Sequence, residues 1–408
     1  MPVTMQRVLV LSPFFHPEPI STGRYNLTMV QGLCGSGCTV TVACCHPFYP
    51  AWRVERSKAQ LPEMRIIRGG GWLRFPGATM LRRLVLESWF SIFATWVVWR
   101  HRNRIDLVVA VFPPSLFFLG VTAILPKAVR RVGVIHDLQG IHAEASRSWL
   151  IRRLVGVIGW IERRGFRACD RLVVLSAAMA DKLAESSGIE REHIRIVYPF
   201  VNLPGAASGI ADRLAQQFPA DHIHLVYSGA LGEKQNPQKL AVIFEAIASG
   251  MPEVMIHVFS EGAAFDAMKS YFAERALPKV SFQALVPEED VAELYRRADI
   301  QLIPQAAGTQ HGSMPSKLPN ILASGRLVLA ICDDDSELAT MISRFNSGAS
   351  LSSWEPADVQ RVLAGLVVRA RSRAAEKPDI AAVRAFFSLD RLTTAILGVG
   401  SSAQMSVS

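Results

Sequence analysis

The sequence predicts an α/β protein of two doubly wound domains. Three observations lead there: strand-like runs alternate with helical runs, a second series of them repeats the first, and a Pro/Gly/Ala/Ser-rich stretch separates the two. A chain of 408 residues is also too long for one ordinary hydrophobic core. The expected division is a first domain over 1–200, a linker over 201–222 and a second domain over 223–378. A C-terminal helical segment over 379–400, able to cross back to the first domain, and a loose tail over 401–408 complete it.

The chain opens on RVLVLSPFF, an apolar β-branched run, followed by the turn chemistry of PEPISTG and by RYNLTMVQGLCGSG with helical spacing. The strand-like runs TVTVACC, MRIIRG, LVVAVF, RVGVIHD and RLVVLS come next, with helical segments between most of them. In the second half HLVYSG, VMIHVFS, VSFQAL, IQLIPQ and LVLAIC alternate with helices such as 237–249 and 287–297. Strands separated by helices require right-handed crossovers and a mainly parallel sheet. Each half is therefore Rossmann-like, and two such domains facing each other leave a cleft at the carboxyl ends of their strands, where ligands bind. The C-terminal helical segments are expected near 356–374 and 380–397.

Half the residues are hydrophobic and 19% are charged, which excludes a disordered or fibrous chain. The net charge of +9 is unevenly divided: residues 1–200 hold 26 Lys/Arg against 13 Asp/Glu, and the remainder holds 18 against 22. An anionic membrane surface, rather than nucleic acid, is the expected partner of the basic half. The interval 72–104 sets Trp89, Trp96 and Trp99 between Arg82–Arg83 and Arg100, Arg102 and Arg104, and 149–167 repeats the pattern. Such a helix lies on a membrane or packs on a core with its charges solvated. The uncharged run 107–126 has the length of a membrane span, but Pro113 and Pro114 divide it into a strand and a helix. With no signal-peptide pattern at the start, the expected location is the cytoplasm, peripheral to the inner face of the membrane. The six cysteines lack paired C-x-x-C units and read as reduced core residues, so no metal site is expected.

The segment GTQHGSMPSKLPNILASG, 308–325, follows the strand IQLIPQ. Pro315 is expected in the first turn of a helix that Gly325 ends, with Ser316 and Lys317 beside exposed backbone N–H groups. Either this is a diphosphate site or it is a capped helix with a surface lysine. A second segment, YSGALGEKQNPQKL, places Gly229, Gly232 and Lys234 where the first strand of the second domain turns into its helix. In the first domain Ser21, Thr22 and Gly23 precede a helix with Arg24 at its start, as a phosphate or acceptor loop or as an ordinary cap by Thr22. His136 and Asp137 end another strand and are candidates for binding sugar hydroxyls or handling a proton. The run Asp333–Asp335 is read as the lead into a helix capped by Ser336 rather than as metal ligands.

Across PEPISTGRYN, HPFYPAW (46–52), YSGALGEKQ and PSKLPNILASGR (315–326) the chain resembles retaining glycosyltransferases of the GT-B fold, family 4, in the group around colanic acid biosynthesis. The resemblance implies a nucleotide-sugar donor (GDP- or UDP-linked) held by the second domain and a lipid-linked saccharide acceptor held by the first. It implies transfer with retention, with no metal and no cofactor beyond the substrate. By position it assigns the donor phosphates to Lys234, Ser316 and Lys317, with Gly229, Gly312, Ser313, Met314 and Asn320 around the donor, and it puts His136 and Asp137 near the sugar. Family members often have arginine where this chain has Ala230, and glutamates where it has Gly312 and Asn320. Asn320 would replace a charged hydrogen bond to the ribose by a neutral one. The architecture also admits a non-hydrolysing epimerase, a phosphorylase or a catalytically silent membrane-bound scaffold.

Overall fold

The computed structural model describes residues 5–18, 20–138, 149–203, 214–275, 277–308, 314–372 and 378–398. It divides into two compact units, Met1–Tyr198 with Leu389–Ser408, and Pro199–Ser388.

Unit 1 begins β1 (Arg7–Leu11), α1 (Ser21–Gly35), β2 (Thr39–Cys45), β3 (Arg65–Gly69), α2 (Thr79–His101) and β4 (Leu107–Phe112). It continues α3 (Phe117–Ile124), β5 (Arg130–Ile135), α4 (Trp149–Arg167), β6 (Arg171–Val174), α5 (Ala177–Ser187) and β7 (Ile194–Ile196). The seven strands are all parallel in the order β3-β2-β1-β4-β5-β6-β7. Central β4 is buried at every position, as a strand covered on both faces must be. The uncharged run at 107–126 is thus a buried strand and a short helix. Glu87 of α2 starts that helix, because its carboxylate accepts from the N–H groups of Ser115 and Leu116, the latter at 3.0 Å.

Unit 2 runs β8 (Ile223–Ser228), α6 (Pro237–Gly250), β9 (Val254–Phe259), α7 (Ala263–Ala273), β10 (Val280–Gln283), α8 (Val291–Arg297) and β11 (Ile300–Pro304). After these come α9 (Leu318–Ala323), β12 (Leu327–Ile331), α10 (Glu337–Arg344), β13 (Gly348–Leu351), α11 (Pro356–Arg371) and α12 (Ile380–Phe386). The sheet is again parallel, in the order β10-β9-β8-β11-β12-β13. Strand order reverses beside β1 in one sheet and beside β8 in the other, and such a reversal is where a doubly wound sheet opens a crevice at its strand ends.

Four differences from the sequence reading have local causes. The edge strands β7 and β13 were not foreseen, because three- and four-residue runs such as Ile-Arg-Ile and Gly-Ala-Ser-Leu give too short a pattern. The first part of the expected helix at 287–297 is a 3-10 turn, with α8 starting only at Val291. The expected helix at 380–397 is two, α12 and a final α13 (Leu389–Leu397), separated at Phe387–Ser388 where the chain passes into unit 1. There α13 lies on α1, with Leu389 and Thr393 against Gly32, and Arg130 and Arg171 donate to the carbonyls of Leu397 and Ala395 at 2.8 and 2.7 Å. Two guanidinium groups thereby satisfy the orphan carbonyls of its last turn. Finally, Ser21, Thr22 and Gly23 lie in the first turn of α1 with Arg24 instead of preceding it, and Ile20, not Thr22, stands at the cap position without a side-chain bond.

Candidate functional site

In unit 2 the site forms around the end of β8. Gly229 follows the strand with φ +135°, a region that favours glycine, and its N–H donates to Phe259 O at 3.0 Å. The Tyr227 hydroxyl donates to Ala230 O at 2.6 Å and fixes the loop from below. Lys234 sits on the 3-10 turn Glu233–Gln235, exposed, and its carbonyl accepts from the N–H of Ala306 at 2.8 Å. That bond ties the β8 loop to the loop after β11.

Lys317 reaches the same place from the other loop. Its ammonium donates to Ser228 O at 2.9 Å and lies 4.8 Å from the Tyr227 ring centroid. A Cβ built on Gly229 would be 3.7 Å from Nζ. Burial pushes the Lys317 pKa down to about 8. An ammonium with three donors, one carbonyl and one aromatic face among the described residues is a desolvated cation short of acceptors, which an anionic ligand would supply.

The helix around it differs from expectation. Pro315 is not in the first turn: α9 begins at Leu318, Pro319 holds an early helical position, and Lys317 is the cap residue. Pro319 decides this, because a helix started at Pro315 would need the N–H that Pro319 lacks. Ser316 is left exposed on the turn closed by Leu318 N–H to Pro315 O at 2.9 Å, while Met314 is buried. Asn320 Oδ1 accepts from the backbone N–H of Asn202 at 2.7 Å, so it anchors the start of unit 2. Gly312 and Ser313 lie outside the described residues. In the acidic run, Ser336 caps α10 by accepting from Ala339 N–H at 3.2 Å, Asp333 accepts from Gly308 N–H and Asp334 from the Ser352 hydroxyl, both at 3.0 Å.

In unit 1 a polar network lies at the ends of β1 and β5. Asn26 Nδ2 donates to Ser12 Oγ and Phe14 O, both at 3.0 Å, and a carbonyl can only accept, so Oδ1 faces His136 Nε2 at 3.2 Å. His136 therefore carries its proton on Nε2 and keeps Nδ1 as its basic nitrogen. The Tyr25 ring meets the imidazole edge-on at 4.7 Å, and burial pushes the His136 pKa down to about 4. Asp137 is exposed beside it. Gly23 is buried where a Cβ would come within 3.0 Å of Glu18 O, so this glycine lets the loop close on α1, while Ser21 and Arg24 are exposed on the first turn.

The structure thus brings Lys317 to the turn at Gly229, with Lys234 on the 3-10 turn that follows, and joins His136 to Asn26 and Ser12 in another place. Asn26, Glu18 and Tyr227 were missed by the sequence reading. The only signal was a buried-type position occupied by asparagine inside a helix, where it is a poor former.

Residues 22–204 match the family described as Glycosyltransferase Family 4. Over 380 residues, 88% of this chain and 91% of the relative, the sequence is 25% identical to a chain of Escherichia coli (strain K12) provisionally named colanic acid biosynthesis glycosyl transferase WcaI. Among solved structures, sucrose-phosphate synthase from Thermosynechococcus elongatus superposes with a TM-score of 0.71 at 15% identity, covering 96% of this chain and 98% of that one. The Anabaena protein HepE, in complex with UDP, gives 0.62 at 12% identity, covering 97% and 99%. The match over residues 22–204, the likeness to a glycosyl transferase over most of the chain and the two parallel-sheet α/β units together support a glycosyltransferase, and the fold is that of GT-B glycosyltransferase structures.

Proposed function

We propose that the chain transfers a sugar from a UDP- or GDP-linked donor to a lipid-linked saccharide during synthesis of a bacterial surface polysaccharide, with retention of configuration. The observation that carries this reading is the Lys317 ammonium, desolvated at the turn after β8 beside the glycine backbone of Gly229. The UDP bound in HepE and the colanic acid role in the name of WcaI support the substrate classes. In the proposed step the acceptor oxygen forms a bond to the anomeric carbon on the face from which the diphosphate leaves, and the acceptor proton passes to the departing phosphate. Lys317 and Lys234 stabilise the charge that grows on that phosphate, which is the task assigned elsewhere to a metal ion. His136 Nδ1 and Asp137 bind hydroxyls of the reacting sugar.

The test is release of UDP or GDP from nucleotide sugars in the presence of polyprenyl-diphosphate-linked saccharides. We expect release with at least one donor, and a loss of about 10²-fold in kcat/KM for Lys234→Ala. No release from any donor, with Lys234→Ala binding UDP and GDP as the wild type does, overturns the reading.

The lipid part of the acceptor places the protein at a membrane, and α2 supplies a surface for it. Leu81, Leu84, Ile92, Trp96 and Trp99 are each about half exposed or more along one face of this helix, with Arg83, Arg100, Arg102 and Arg104 at its ends. A groove of about 510 Å³ runs between Ile92, Trp96, Trp99 and Ile124. Among the described residues no helix is long and apolar enough to cross a membrane, so this contact is with its surface. Replacing both Trp96 and Trp99 by serine is expected to weaken cosedimentation with phosphatidylglycerol vesicles about tenfold or more. Unchanged cosedimentation removes the membrane from the proposal.

A further inference from the structure

Unit 1 carries a second construction at its strand ends that the transfer step does not use. After β2 the chain forms a tight loop in which Arg53 N–H donates to Phe48 O at 3.1 Å and Glu55 N–H to Pro47 O at 2.8 Å. The loop is pinned from inside by Glu18. That carboxylate is 3% exposed, and its Oε1 accepts from the N–H groups of Phe48 at 3.1 Å and Tyr49 at 2.5 Å. Among the described residues its buried Oε2 has no hydrogen-bond partner. Arg68 faces the same region, donating to His16 O at 2.6 Å and to Ala59 O at 3.3 Å. Keeping a charged group out of water is unfavourable, and ordinary packing of an aromatic loop does not call for one.

The loop presents rings. Phe48 is in the core, and around it Phe14, Trp52 and Phe75 stand at centroid distances of 5.4, 5.5 and 4.8 Å. Tyr49 packs edge-on to Phe14 and Trp52 at 6.1 and 5.7 Å, and its side of the cluster stays open, with Tyr49 38% exposed. Trp52 is held at φ +54°, a left-handed conformation that a bulky side chain resists, so the surrounding contacts over-determine its direction. The Arg82 guanidinium lies 5.5 Å from the Trp52 ring, and Arg53 and Glu55 are exposed beside it. Aromatic faces rimmed by charged hydrogen-bonding groups fit a ligand that is apolar on one face and hydroxylated at its edge, which is a pyranose ring. A lipid chain would leave the charged rim unused. The cluster is also continuous with His136, since Phe14 O and His136 are bonded to the two ends of the Asn26 carboxamide.

We propose that Tyr49 and Trp52 form a platform on which a sugar ring of the acceptor saccharide stacks, with Glu18 as the residue that positions it. This rests on the reading of unit 1 as the acceptor side. Stacking of this kind gives up to about a tenfold gain in affinity, so Tyr49→Ala is expected to raise the acceptor KM about tenfold. The kcat and the donor KM should stay within about twofold, and Tyr49→Phe should behave as the wild type, since the ring is what binds. Glu18→Ala should raise the acceptor KM likewise, and Glu18→Gln, which keeps an accepting oxygen, should restore it. Saturation-transfer NMR of the full chain with methyl glycosides of glucose, galactose, mannose and fucose separates the two layers of inference. A saccharide signal that Tyr49→Ala removes supports the platform even if no donor is turned over, in which case the transfer reading alone has failed. Transfer that proceeds with acceptor KM and NMR signal unmoved by Tyr49→Ala overturns the platform and leaves transfer intact. Because Tyr49 bonds Glu18 through its backbone and is exposed, its replacement tests the idea without removing the loop's support.

Discussion

Replacement of Lys317 by alanine is expected to lower kcat/KM for the nucleotide-sugar donor by about 10²–10³-fold, as removal of one preorganised charge-stabilising donor commonly does. The Nζ atom lies where the backbone after β8 turns at Gly229, held by Ser228 O at 2.9 Å, so it needs no reorganisation to meet a diphosphate. Arginine is not an equivalent, because its planar, delocalised fork would replace the compact ammonium that Ser228 O holds. The protonation state gives an independent check. Only the cation can hold the leaving diphosphate, and burial sets its pKa near 8 in the free protein. Donor kcat/KM should therefore be level below about pH 8 and fall about tenfold per pH unit above it. A profile that stays flat to pH 10, with Lys317→Ala active, excludes the lysine from the donor site.

Acidification should weaken unit 2 by about 3 kcal/mol at pH 4 relative to pH 7, beside a similar acid limb that buried His136 gives unit 1. The source in unit 2 is a buried chain of neutral rings beneath the start of that unit. His224 Nε2 meets Pro219 O at 2.9 Å, and since a carbonyl only accepts, Nε2 bears the proton. His224 Nδ1 then accepts from His257 Nε2–H at 3.0 Å, and His257 Nδ1 accepts from the Ser281 hydroxyl at 2.9 Å. Phe218 stacks on His257 with ring centroids 4.4 Å apart. Burial, with the nearby His224 adding to it, pushes the His257 pKa down to about 3. The unfolded imidazole takes its proton near pH 6.5, so between about 6.5 and 3 the unfolded state holds more protons and stability falls with falling pH. Above that window the full stability is present. When Nδ1 is protonated, Ser281 can turn its hydrogen to Ile256 O at 3.3 Å, but the cation stays 1% exposed. His257→Gln keeps an N–H for His224 and cannot titrate, so it should flatten the acid limb. Hydrogen exchange of the β8 and β9 amides between pH 4 and 7 reads unit 2 apart from unit 1, and an identical pH slope in the variant contradicts the assignment.

The site was legible in the sequence to unequal depth. Lys234, Lys317 and Gly229 could be read because each follows an apolar strand and precedes a helix, a local pattern that places a residue at a strand end whatever the rest of the chain does. The contact of Lys317 with Ser228 could not be read, since 89 residues separate them and only the pairing of β8 with β11 brings the two loops together. Pro319 was visible, yet the stronger-looking Pro315 was given the helix start. The chemistry of the missing N–H, counted over both prolines, resolves the choice.

By itself the sequence determined what depends on near neighbours: the strand and helix series of both halves, the split of 107–126 at its prolines, the cap at Ser336 and the lysine-bearing loops. Only the tertiary structure decided the strand orders, the passage of 389–397 into unit 1, the tautomers of His136 and His257, and the burial of Glu18 behind Phe48 and Tyr49. The reason is physical. Periodicity and turn chemistry act over a few residues, whereas desolvation and hydrogen-bond pairing depend on which distant segments share a space, and that is fixed only when the sheets close over their helices.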